Sequence, residues 1–335
     1  MARREKSDEC GQRVETSICP RICFGVACRD CDEQYSKCLT QLRRNRKKTI
    51  MKKITDNEIQ FFNDNGYLIL KGVIQPDELA VTQSESQRLI DEILAGGPAD
   101  EWCNRGPEKI PYYLTYLHSH PNEFSLRLLG HPFIGDLLRR IIGPDFIPCY
   151  ESLVFKLPKH GSSVRWHRDG NAIRENHPIF NVDIYLDDST VNNGCVWVIP
   201  KSHLWGIEEA QEVIDRGEVN FEREDAVPAE VEPGDILLHH TKVLHGSKIN
   251  TSDTLRRVIY FDQRTPRWNE RYKWWQSGFL TQRCKMYQRA LHERSTNPYS
   301  SDTEQFAYEV PSDMPTWDPN DDFDLRIQHR AYAYQ

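Results

Sequence analysis

A change of period in the middle of the chain constrains its fold more than any other feature. Five short segments, 152–157, 179–186, 195–199, 235–239 and 258–261, are rich in Val, Ile, Leu and aromatic residues, with turn signals between them. Pro233-Gly234-Asp235 and Asn192-Asn193-Gly194 are the clearest of those turns. Short apolar runs bounded by Gly, Pro and Asn read as strands, and their spacing suits antiparallel pairing. The expected fold is mainly β with flanking helices, built on a double-sheet jelly roll (a cupin-like double-stranded β-helix) over about 150–265.

Helix signals flank that core. Thr55-Asp56-Asn57-Glu58 is a capping box, in which the Thr55 hydroxyl accepts from the Glu58 backbone N–H and Glu58 reaches back. It opens a short helix carrying Ile59, Phe61 and Phe62, which Asn65-Gly66 ends, and 67–70 then reads as a strand. Pro76 starts a second helix to about residue 94, with Leu79, Leu89, Ile90 and Ile93 on its apolar face. A third covers about 132–142, and 272–292 returns to helix. One folded domain is therefore expected over 51–310, followed by a polar tail at 311–335.

Residues 1–50 do not match the rest. Six of the ten cysteines (Cys10, Cys19, Cys23, Cys28, Cys31, Cys38) fall there, with 12 basic against 7 acidic side chains, whereas 51–335 carries 31 basic against 43 acidic. Cys19, Cys23, Cys28 and Cys31 could hold zinc, and the run from Arg43 to Lys48 could be a basic patch. The irregular spacing favours a leader that is disordered or outside the fold, as a mis-assigned translation start would be. Cys103, Cys149, Cys195 and Cys284 are far apart, as expected for unpaired thiols of the reducing cytoplasm. The acidic remainder argues against nucleic acid as a partner. No apolar run approaches the roughly 18 residues of a membrane span. Eight Trp, fourteen Tyr and thirteen Phe supply bulk for a core.

The chemistry-bearing residues lie among the strands. In His167-Arg168-Asp169, residues two apart on a strand project to one face, so imidazole and carboxylate can meet one ion. His245, in Leu244-His245-Gly246-Ser247 just after a strand, would complete a two-histidine, one-carboxylate triad. Such a triad leaves coordination positions open and suits non-haem Fe(II), with zinc as the other metal. Arg256 follows eleven residues later. A turn at 250–253 would let its strand double back and carry a guanidinium fork, suited to a carboxylate, toward the metal face. An arginine buried there without a carboxylate would be costly, which points to a bound dicarboxylate.

Other residues read more plainly. Arg257 points to the opposite face, as for a surface ion pair. His240 competes with His245 as a ligand but lacks the following Gly-Ser and the spacing to an arginine. Asp183 and Tyr185 share a face opposite Val182, Ile184 and Leu186, which leaves cavity lining and solvent exposure both open. Trp166 and Trp197 read as core or wall, and Lys71, Arg264 and Arg267 as solvated surface. Trp268, Trp274 and Trp275 would cover the barrel mouth or pack the last helix.

Taken in order, these motifs resemble the phytanoyl-CoA dioxygenase family of Fe(II)/2-oxoglutarate oxygenases. The resemblance runs over about 55–265. It rests on Phe155-Lys156, Trp166-His167-Arg168-Asp169-Gly170, Asn181 through Asp188, Asn193-Gly194 through His203, Pro233-Gly234-Asp235, His245-Gly246-Ser247 and Arg256. It implies His167, Asp169 and His245 as Fe(II) ligands, and Arg256 as the anchor of 2-oxoglutarate. Ser247 and Lys156 would make further carboxylate contacts, with Asn181 another candidate. It also implies O2 as cosubstrate, release of succinate and CO2, and a small-molecule substrate. Asp169 is kept where related halogenases carry a small residue, so hydroxylation is implied. Lys201 departs from the family's usual Gly, and Cys195-Val196-Trp197 is bulkier than usual. Two other readings stay open: a cupin-like metal enzyme without 2-oxoglutarate, and a non-catalytic barrel serving as a binding module. The substrate's identity and the oligomeric state have no signature here.

Overall fold

The computed structural model describes residues 53–321, apart from 107, 161–162, 171–177, 180 and 268–277. The chain divides into two units, Met1–Thr49 and Ile50–Gln335. The cysteine-rich leader and Trp268, Trp274 and Trp275 lie outside the described residues.

Two antiparallel sheets form the core of the second unit. Its strands are β1 (Tyr67–Leu70), β2 (Cys103–Arg105), β3 (Pro111–Thr115), β4 (Ile147–Lys156), β5 (Val164–His167), β6 (Asn181–Tyr185), β7 (Val196–Ile199), β8 (Val227–Ala229), β9 (Ile236–His239), β10 (Leu244–Ser247) and β11 (Arg256–Arg264). The larger sheet runs β1-β9-β6-β11-β4-β3-β2 and the smaller β5-β10-β7-β8. This is the expected jelly roll. Tyr185, Leu237 and Val258 of the larger sheet pack with Val196, Val198 and Ala229 of the smaller, so apolar side chains of both sheets close one core.

Helices cover the other face of the larger sheet. They are α1 (Asp56–Asn65), α2 (Pro76–Leu94), α3 (Ser125–Leu129), α4 (Pro132–Ile141) and α6 (Phe279–Thr296), whereas α5 (Ile207–Asp215) packs Val213 and Ile214 against Ile199 and Leu244 of the smaller sheet. The capping box forms as expected: Glu58 N–H donates to Thr55 Oγ1 at 3.2 Å, and Thr55 N–H donates to Glu58 Oε2 at 2.8 Å. Leu89, Ile90 and Ile93 of α2 and Leu137 and Leu138 of α4 join Leu153, Phe155, Val182, Ile184, Ile259 and Phe261 in one continuous core. Alternation along β4, β6 and β11 thus sends apolar residues to the helices, leaving the opposite face for other chemistry. Helix α6 is tied to β4 by Arg283, whose Nε donates to Pro148 O at 3.0 Å and whose Nη2 pairs with Glu151. None of the described helices is long and apolar enough to cross a membrane. Cys103, Cys149, Cys195 and Cys284 are unpaired.

The structure corrects several expectations. β4 begins at Ile147 and β11 extends to Arg264, past the apolar runs that marked them. The extended ends pair with each other, Gln263 with Pro148 and Arg264 with Ile147, past a register shift after Asp262. β10 and β11 do not form a hairpin: they belong to different sheets, and residues 248–255 cross between them. Arg257 and Arg264 are buried rather than at the surface. Arg257 pairs with Asp187 at 2.7 Å and donates to Ser86 Oγ of α2 at 3.1 Å, while Arg264 pairs with Asp262 at 2.7 Å. In each case a nearby carboxylate offsets the desolvation of the guanidinium.

Candidate metal centre

β5 and β10 are hydrogen-bonded neighbours, and His245 stands directly opposite His167. Their ring centroids are 4.2 Å apart. Gly246 allows this close approach, since a Cβ there would lie 3.0 Å from Val164 O and 3.2 Å from Trp166 N. Only His167 of the H-x-D motif is on a strand, as the last residue of β5; Asp169 lies in the turn beyond. His245 follows β9, as expected, and lies inside the next strand, β10. The turn itself is pinned. Arg168 donates to Ser202 O, and Gly170 N–H donates to Thr241 O at 2.7 Å.

His167, Asp169 and His245 each offer one ligand atom, and these atoms lie within 4.8 Å of one another. Asp169 Oδ1 is 3.3 Å from His167 Nε2 and 3.8 Å from His245 Nε2. Both histidines face the backbone with the other nitrogen: His167 Nδ1 to Arg165 O at 2.8 Å, His245 Nδ1 to Val243 O at 3.1 Å. A carbonyl can only accept, so Nδ1 carries the hydrogen and each Nε2 keeps a lone pair for a cation. Burial, with His167 beside it, pushes the His245 imidazole down to about 3, so it is neutral at ordinary pH. Burial alone would raise Asp169, but His245, His167 and His239 hold it well below the usual carboxylate range. Two imidazole Nε2 atoms and one carboxylate are the donor set that suits a divalent iron-group ion with open positions. His240 is not among them; it stacks on Phe62 at 6.1 Å.

One cavity of about 490 Å³ contains His167, Asp169 and His245 together with Lys156, Asn181, Ser247 and Arg256. The sequence-predicted site residues therefore share one space. Arg256 is 2% exposed; its Nη1 donates to Gly194 O at 2.8 Å, and its Nε has no hydrogen-bond partner among the described residues. Lys156, opposite Arg256 in the β4–β11 register, donates from Nζ to Ser247 Oγ at 2.8 Å and to Lys248 O. Burial first and Arg256 second lower the Lys156 amine to about 6. Among the described residues neither side chain pairs with a carboxylate, and a bound anion would favour the proton on Lys156. A bound dianion would meet that unmet electrostatic demand. Tyr112, Tyr113, Val154, Val196 and Tyr260 complete the wall.

Sequence reasoning missed one group here. His239, at the end of β9, donates from Nε2 to Asp169 Oδ2 at 3.0 Å and lies with Nδ1 2.9 Å from Asp183 Oδ2. Asp183 and Tyr185 are completely buried on the interior side, which settles the face left open above. The only signal was the i, i+2 relation of Leu237 and His239 on a strand whose interior face carries polar residues. Trp166 and Trp197 pack on Phe221, with ring centroids at 5.0 and 5.9 Å, and neither lines the cavity. Lys71 is bound to Asp235 at 2.7 Å, outside the cavity, and Arg267 is exposed.

Fold and site together define a jelly-roll protein with a two-histidine, one-carboxylate constellation beside a buried arginine and lysine. The sequence matches the family model described as phytanoyl-CoA dioxygenase (PhyH) over residues 62–258, and the chain belongs to that family. It is 25% identical over 260 residues to phytanoyl-CoA dioxygenase domain-containing protein 1 of Danio rerio, covering 62% of this chain and 89% of that one. Among solved structures it resembles AviO1 from Streptomyces viridochromogenes Tue57, with a TM-score of 0.54 and 26% identity over 65% of this chain and 97% of that one. It shares its fold with EctD from S. alaskensis, solved with 2-oxoglutarate and 5-hydroxyectoine, with a TM-score of 0.53 and 21% identity over 63% of this chain and 76% of that one.

Proposed function

We propose that this protein is an Fe(II)- and 2-oxoglutarate-dependent oxygenase that uses O2 to hydroxylate an unactivated C–H bond of a small molecule, releasing succinate and CO2. One observation carries the reading. Three convergent ligating side chains share a cavity with a buried Arg–Lys pair that has no carboxylate partner among the described residues. His167, Asp169 and His245 would hold the ferrous ion, which when bound supplies the redox chemistry that activates oxygen. Arg256 grips the distal carboxylate of 2-oxoglutarate with its planar fork, and Lys156 and Ser247 offer further donors on the same wall. Asn181 lines the same cavity from β6 but stands opposite Asp262, six residues along β11 from Arg256, so any amide contact it adds comes from the other end of the cavity. No side chain acts as a general base. The protein orients its reactants and limits water through Val154, Val196 and Tyr260.

A cupin-like enzyme working without 2-oxoglutarate would leave Arg256 and Lys156 without a counter-ion, and so would a non-catalytic barrel. Retention of the Asp169 carboxylate supports hydroxylation over halogenation. The four unpaired cysteines support a reducing, cytoplasmic setting. The test is anaerobic reconstitution with Fe(II) and 2-oxoglutarate, followed by admission of O2. Succinate formed by the wild type and lost in His167→Ala and Arg256→Ala supports the reading. A protein that binds Fe(II) yet develops no charge-transfer band with 2-oxoglutarate and forms no succinate overturns it.

A further inference from the structure

We propose that His239, backed by Asp183, is a positioning residue that fixes which oxygen of Asp169 faces the metal. The inference rests on the reading of His167, Asp169 and His245 as the ion's ligands. The Asp169 carboxylate is divided between two environments. Oδ2 accepts from His239 Nε2 at 3.0 Å, while Oδ1 is the oxygen 3.3 Å from His167 Nε2 and 3.8 Å from His245 Nε2. A carboxylate with both oxygens free can chelate an ion bidentately and fill a further coordination position. With Oδ2 engaged, Oδ1 alone remains for the ion, and that position stays available to reactants.

His239 is itself held from behind. Its Nδ1 lies 2.9 Å from Asp183 Oδ2, and its ring centroid is 4.5 Å from that of His245. Asp183, on the neighbouring strand β6, is opposite Leu237, two residues before His239, so both side chains belong to one face of the sheet. Asp183 is 0% exposed, and neither of its oxygens has a well-formed hydrogen bond among the described residues. Burying a carboxylate with so little compensation costs several kcal/mol, and apolar residues of the same size would fill the space with less penalty. Apolar residues could not aim an N–H at Asp169. Hydrogen bonds that orient a metal-ligating group change metal affinity typically 10–100-fold when removed.

The experiment titrates Co(II) alone, as an oxygen-insensitive probe, into wild type, His239→Phe, His239→Gln and Asp183→Asn, following the visible band and the dissociation constant. Circular dichroism checks that each variant is folded. We expect His239→Phe to weaken Co(II) binding by about 10–100-fold and to alter the band. His239→Gln, whose amide can replace the Nε2 donor, is expected to recover most of the loss, and Asp183→Asn to fall between. A folded His239→Phe with wild-type affinity and spectrum overturns the inference and leaves the oxygenase reading intact. Should His239→Phe not fold, a Gln variant no better than Asp183→Asn overturns it equally. A wild-type protein that binds no Co(II) or Fe(II) removes the oxygenase reading and this inference together.

Discussion

Arg256 on β11 lies directly across from Lys156 on β4, so a guanidinium and an amine share one buried wall of the cavity. Removing the fork should show as a loss of cosubstrate affinity. Arg256→Ala is expected to weaken 2-oxoglutarate binding by about 10–100-fold, the worth of one or two charge-assisted hydrogen bonds of roughly 1.5–3 kcal/mol. Arg256→Lys should recover little, since an ammonium lacks the planar pair of donors. Anaerobic titration of the iron-loaded protein measures both. Affinity within twofold of wild type would remove Arg256 from the site.

Lys156 gives a pH dependence with a definite sign. Its folded amine titrates at about 6 against an ordinary 10.5, because burial and the Arg256 charge disfavour the proton. Between those values the unfolded chain holds a proton that the folded chain lacks, so this group makes stability rise with pH across the window. Lys156→Met should be more stable near pH 7 by about 1–4 kcal/mol, less steep in pH, and poorer at binding 2-oxoglutarate. Urea unfolding at pH 6.5 and 8.5 tests this. A variant less stable at both would contradict it.

Gly246 sets the spacing of the two histidines proposed as ligands. Gly246→Ala places a methyl group against the β5 backbone, so β10 and β5 must part by a few tenths of an ångström. We expect about tenfold weaker Co(II) binding and a destabilisation of about 1–3 kcal/mol. Ser247→Ala, one residue on, should retain Co(II) affinity. Equal affinities for Gly246→Ala and wild type would show that the strand pair adapts.

Lys201 adopts φ +67°, the left-handed region that glycine enters without steric cost. Its N–H donates to Asn65 O at 2.9 Å, holding that conformation. Lys201→Gly keeps this bond and relieves the strain, partly offset by greater freedom in the unfolded chain. A net gain of up to about 1 kcal/mol in chemical unfolding is expected, with no change in Co(II) binding. A loss would mean that the lysine side chain contributes more than its backbone strain costs.

Much of the architecture was legible because its signals are local. The capping box at Thr55, Pro76 at the start of α2 and the apolar runs of β4, β6 and β9 each depend on neighbours in sequence. The ligating trio was legible as a pattern of residue types, and the structure brings His167, Asp169 and His245 together. What failed depends on the third dimension. The turn after Asn250 looks the same whether it closes a hairpin or sends the chain to the other sheet. Alternation in β6 separates Asp183 and Tyr185 from Val182 and Ile184, but it does not say which side faces water. In this jelly roll both sides are enclosed, one by helices and one by the smaller sheet, so polar residues point inward. Arg257 was misread for the same reason, since its partner Asp187 becomes a neighbour only on folding; Asp262 is two residues from Arg264 in sequence, but nothing local shows that the pair is buried.

The passage of residues 248–255 from one sheet to the other sets His245 and Arg256 on opposite leaves of the sandwich. A guest clasped at one end by the small leaf and at the other by the large one works as a rivet. Prising the leaves apart would evict it, and its departure would loosen them, so occupancy and closure of the sandwich report on each other.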